Sequence, residues 1–140
     1  MPVNFQQACR RHFDDAEGLE KSERHQNADH LYGLSAECAL KTILVGNKNI
    51  PNPNSVQRPF REHIDKLWAE YDSALQGIEG GRYVHRLGAK NPFATWRASD
   101  RYEGDWIQVQ VPIEAAYRRK ALRERILTTL QDAISDGIVT

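Results

Sequence analysis

One run of small and apolar residues, ADHLYGLSAECALKTILVG from Ala28 to Gly46, restricts the fold more than any other feature. Its apolar side chains recur at helical spacing, and the run stops at a glycine, as helices often do. Small residues let helix backbones approach closely, so we expect this helix in the middle of a bundle. Glu37 and Lys41 are four residues apart. We interpret them as a surface ion pair at the edge of the bundle, the alternative being a partly buried pair facing a cleft.

Three further segments have helical periodicity. The first helix is predicted over about residues 4 to 22, with Asn4 as its N-cap. A third helix is predicted from Ile64 to near Gly77, and a last one from Ile113 to about Ile134. Between the second and third helices, prolines and asparagines in residues 47–60 predict a long loop.

The segment before the last helix, Gly88 to Pro112, has no helical period. A short helical turn is predicted around Tyr83 to Leu87. Ile107, Val109 and Val111 alternate with glutamines, which indicates an extended arm rather than a sheet. The sequence of 140 residues therefore predicts a single all-α domain, an up-down bundle of four main helices with an irregular aromatic arm before the last one.

The charge balance, the apolar runs and the cysteines limit the partners and the cellular compartment that we expect for this chain. Nineteen basic and nineteen acidic residues cancel, so the overall balance favours neither nucleic acid nor a membrane surface. No apolar stretch approaches the roughly 18 residues of a membrane span, and the N-terminus has no run like a signal peptide. Cys9 and Cys38 fall on the apolar stripes of predicted helices. We expect both to be free, buried thiols in a cytoplasmic protein.

The second helix and the beginning of the third resemble the HEPN superfamily. The residues that carry the resemblance are Ala36, Glu37, Leu40 and Lys41 in HLYGLSAECALKTIL, then His63 and Leu67 in EHIDKLW. The resemblance covers residues 5–75 well and the rest loosely. It implies a dimer-forming helical bundle. In many members it also implies a metal-independent ribonuclease, or a partner of a nucleotidyltransferase in toxin–antitoxin and defence systems.

The family's catalytic signature is an arginine followed four to six residues later by a histidine, usually at the start of the last main helix. Here no histidine follows Arg97 or Arg101. One formal match lies elsewhere, at Arg58 and His63. In a catalytic interpretation, His63 is the general acid or base and Arg58 or Arg61 stabilises developing charge. The alternative is a chance match, with His63 capping or packing the third helix.

His25, Asp29 and His30 form a second polar group, at the start of the second helix. Their spacing partly shares one helix face, but zinc takes three or four protein ligands and no cysteine or further histidine lies nearby in sequence. We interpret these residues as solvated side chains. We expect neither a metal nor a cofactor.

Two segments combine aromatic or basic residues in ways that could contact nucleic acid. In WRASDRYEGDW we expect Trp96, Tyr102 and Trp106 to close the end of the bundle, while Arg97 and Arg101 pair with neighbouring acids. The alternative is a base-stacking surface. We expect the run RRKALRER, residues 118–125, to point largely outward as a solvated basic face, the alternative being a contact with RNA or an acidic partner.

These observations favour a HEPN-like interaction or regulatory protein that forms a homodimer and works with a protein partner of the nucleotidyltransferase type. The residues expected at a ligand or partner cleft are Glu37, Lys41, Arg97, Arg101 and Tyr102. The alternative is a metal-independent ribonuclease that uses Arg58 and His63. A third hypothesis is small-molecule binding, with the tryptophan-rich arm covering a cleft beside the second helix.

Overall fold

The computed structural model describes residues 4–46, 62–75, 81–104 and 110–139. Within these ranges the chain is mostly helical and has no β-strand, which confirms the all-α class. Among the helices described there, none combines the length and apolar character that crossing a bilayer requires.

The first two helices follow the sequence pattern closely. Helix α1 is Phe5–Lys21, and the side chain of Asn4 caps it by accepting a hydrogen bond from the backbone N–H of Gln7 at 3.0 Å. Helix α2 is His25–Gly46. It begins three residues before the apolar stripe that predicted it, because its first turn is polar.

Helix α3 is Ile64–Leu75 and the short helix α4 is Gly81–His85. The helical turn predicted at Tyr83–Leu87 is therefore a helix that begins two residues earlier. The loop predicted over residues 47–60 and the end of the third helix near Gly77 lie outside the described residues.

The final helical segment consists of α5, Gln110–Ala121, a π-helical turn, Leu122–Ile126, and α6, Leu127–Ser135. The predicted extended arm was therefore wrong at Val111 and Pro112, which lie in the first turn of α5. A proline fits there because first-turn N–H groups have no acceptor within the helix. Ile107 and Val109 lie outside the described residues.

Helix α2 occupies the centre of the bundle and contacts α1, α3, α5 and α6. Ala28, Ala36 and Ala39 are completely buried there. This confirms the prediction that the small-residue helix lies inside. The remaining core is built from the buried apolar residues of the other helices, including Leu67, Tyr71, Leu122 and Ile126.

The two cysteines are free and buried, as predicted. Cys9 lies on α1 and its sulfur is 3.5 Å from the hydroxyl of Ser35 on α2. Burial raises the pKa of the Cys38 thiol to about 12, and it also raises the pKa of Cys9. Both thiols therefore stay protonated at neutral pH and behave as small apolar groups.

Candidate functional site: a buried carboxylate cluster and a polar cavity

Glu37 and Lys41 form a buried ion pair inside the bundle. Each residue is only 7% exposed, and the Lys41 ammonium lies 3.1 Å from Glu37 Oε2. The surface-pair interpretation was wrong, and the partly buried alternative describes the pair better. The physical reason is that α2 is surrounded by four helices, so its polar stripe has no solvent-facing side.

His63 completes this cluster from the residue that precedes α3. Its Nδ1 lies 2.9 Å from Glu37 Oε1, so the two oxygens of one carboxylate are divided between Lys41 and His63. The His63 side chain remains 51% exposed. The backbone carbonyl of His63 also accepts the N–H groups of Lys66 and Leu67 at 3.0 and 2.7 Å. His63 thus joins the start of α3 to the buried carboxylate, and part of its ring faces solvent.

Trp96 lies between the cluster of Glu37, Lys41 and His63 and a second polar region. Its edge faces the His63 ring at a centroid distance of 6.3 Å. Its face stacks on His30 at 5.1 Å, with the ring planes 18° apart. Trp96 is 1% exposed and packs inside the bundle, whereas Tyr102, expected beside it, is 78% exposed. Trp106 lies outside the described residues.

The two arginines predicted at the cleft, Arg97 and Arg101, contact residues other than Glu37 and Lys41. The guanidinium of Arg97 pairs with Asp65 on α3 at 3.2 Å rather than with a neighbouring acid, because α3 packs beside this segment. The guanidinium of Arg101 lies over the ring of Tyr102, 4.7 Å from its centroid. Among the described residues, no hydrogen bond or ion pair joins Arg97, Arg101 or Tyr102 to Glu37 or Lys41. Arg58 and Arg61, required by the catalytic interpretation, lie outside the described residues.

The second polar region is a cavity of about 630 Å³, bounded by the start of α2, the segment 95–103 and the first half of α5. We call it the α2-start cavity. Its wall includes His25, Asp29 and His30 of α2, together with Trp96 and Arg118. Three of these are the residues that the sequence led us to interpret as solvated.

Arg118 is the buried cation of this cavity. It is 5% exposed, and its guanidinium donates to Asp29 Oδ2 at 2.5 Å, Thr95 Oγ1 at 2.9 Å and the carbonyl of Pro92 at 3.2 Å. The expectation that residues 118–125 point largely outward was therefore wrong at this position. Three acceptors compensate the desolvation of the guanidinium, which makes its burial tolerable.

Burial changes the pKa values of Asp29 and His30 at this cavity. Burial raises the pKa of Asp29 to about 6, while the nearby charge and hydrogen bond of Arg118 oppose the shift. Burial and then the charge of Arg101 lower the pKa of His30. His25, Asp29 and His30 are partly buried rather than fully solvated, because segment 95–103 and α5 lie beside the start of α2. In the described parts of the chain, no three His, Cys, Asp or Glu side chains are placed to hold a metal ion.

The remainder of the basic run pairs with acids of α1. Arg119 donates to Glu20 at 2.9 Å, and Arg123 lies 3.8 Å from Glu17. Two of the arginines expected to form a solvated face thus pair with α1, Arg119 from α5 and Arg123 from the π-helical turn. Such pairing lowers the positive field that nucleic acid would require.

No protein-family model, curated protein or solved structure matches this chain. The site therefore rests on its own geometry. The burial of Arg118 was not predicted from the sequence, although one signal was present. Ala115, Arg118 and Leu122 are spaced by three and four residues, which puts the arginine on the buried stripe.

Proposed function

We propose that the protein is a HEPN-like helical interaction and regulatory protein of the cytoplasm, which forms a homodimer and has no catalytic activity of its own. One observation carries the proposal. Ile113 and Tyr117 are 56% and 55% exposed, and they lie one turn apart on the same side of α5. Large apolar side chains grouped on an otherwise polar surface are typical of protein contacts.

The spacing of this patch supports a second copy of the same chain as the occupant. If two copies cross in antiparallel orientation about a point between Ile113 and Tyr117, Ile113 of one copy faces Tyr117 of the other, and each apolar patch covers the other. Such a two-fold contact uses the same patch twice, which is the commonest arrangement in homodimers.

The wider role rests on the sequence resemblance. HEPN-like proteins of this size act beside a nucleotidyltransferase-type partner in toxin–antitoxin and defence systems, and we propose the same setting here. The internal use of Glu37 and Lys41 agrees with a regulatory role, because both charges are consumed in a buried network rather than presented to a substrate. RNA is a less favoured partner because Arg119 and Arg123 are paired with acids of α1.

Light scattering coupled to size-exclusion chromatography tests the dimer. We expect a mass near twice the 16.0 kDa of one chain. Ile113→Asp and Tyr117→Asp should each convert it to the monomer, because a carboxylate would be buried in an apolar contact. Ser73→Asp, at an exposed position of α3, is the matched control and should remain dimeric. A wild-type protein that elutes only as a monomer at tens of micromolar contradicts the proposal.

A metal-independent ribonuclease is the second candidate, favoured by the pair of Glu37 and His63. A carboxylate that accepts from Nδ1 fixes the tautomer and leaves Nε2 as the reactive nitrogen, as in known acid–base catalysts. The exposed half of the His63 ring agrees with that role. Arg58 would then have to supply the positive charge beside it.

RNA cleavage in the presence of a chelator distinguishes the two candidates. The proposed regulatory role predicts no cleavage above background by the wild type. Specific cleavage that both His63→Ala and Arg58→Ala abolish, while His85→Ala at an exposed position of α4 retains it, would establish the ribonuclease instead.

A further inference from the structure

We draw no further inference here: the strongest candidate, the apolar groove of about 290 Å³ between α1 and α6 that Phe13, Leu127, Leu130 and Ile134 line, carries no proposal because nothing in the structure shows what covers it.

Discussion

Arg118 of α5 donates a hydrogen bond of 2.5 Å to Asp29 near the start of α2, and the two residues are 89 positions apart in the sequence. The same guanidinium holds Thr95 and the carbonyl of Pro92. One side chain thus connects α2, α5 and the segment between α4 and α5. These three parts form the walls of the α2-start cavity, so Arg118 holds its walls together.

Replacing Arg118 by alanine should lower the free energy of unfolding by about 3–5 kcal/mol, because it leaves the carboxylate of Asp29 buried without its partner. Arg123→Ala is the matched control on the same helical segment. The Arg123 side chain is 62% exposed and lies 3.8 Å from Glu17, so its loss should cost less than about 1 kcal/mol. Urea denaturation of the wild type and both variants measures the difference. Equal losses in the two variants would contradict the buried role of Arg118.

The raised pKa of Asp29 predicts how the stability of the folded protein changes with pH. Burial moves the pKa of this carboxyl from its ordinary 3.8 to about 6, against the opposing effect of Arg118. Between these values the folded state binds more protons than the unfolded chain. Stability from this group is therefore complete below pH 3.8 and is lost as the pH rises through about 6.

Comparison with Asp29→Asn isolates that contribution. The free energy of unfolding of the wild type, minus that of the variant, should fall by roughly 3 kcal/mol as the pH rises through this interval. NMR titration of the Asp29 carboxyl carbon locates the midpoint directly. A difference that grows with pH would show that Arg118 dominates over burial and that the pKa is lowered instead.

Local sequence patterns predicted the helices, but they failed at positions whose structure depends on residues far away in the sequence. Asn4 could be recognised as a cap because its partner, Gln7, is three residues away. The first turn of α2 begins with the polar residues His25, Gln26 and Asn27, so apolar periodicity could not show where the helix starts. Val111 and Pro112 were assigned to an extended arm because alternation over a few residues resembles a strand, although packing against α2 makes them helical.

The site was harder to predict than the fold, for a related reason. Glu37 and Lys41 are an ordinary helical pair in the sequence, and only the arrangement of four helices around α2 makes them buried. His63 is 26 residues from Glu37, so their hydrogen bond has no local signature. Similarly, acids near Arg97 in the sequence suggested a neighbouring partner, whereas the guanidinium pairs with Asp65 of another helix.

Gly33 and Trp96 are packed so closely that a single methyl group should disturb the centre of the site. A Cβ at Gly33 would lie 2.2 Å from two atoms of the indole, so the ring must move. That ring also contacts His30 and His63, and its displacement should shift the NMR resonances of both imidazoles. The variant Gly33→Ala therefore shows whether Trp96 connects the cluster of Glu37, Lys41 and His63 with the α2-start cavity.

For Gly33→Ala we expect a loss of about 1–3 kcal/mol in the free energy of unfolding from overpacking, reduced by the better helix propensity of alanine. Gly18→Ala is the matched control, because it makes the same substitution inside α1 where nothing lies within 4 Å of the added carbon. It should stabilise the protein by about 0.5–1 kcal/mol. If the packing is as described, thermal and urea unfolding show a loss of stability for Gly33→Ala and a gain for Gly18→Ala. Stabilisation by both substitutions would mean that the indole does not lie against α2 at Gly33.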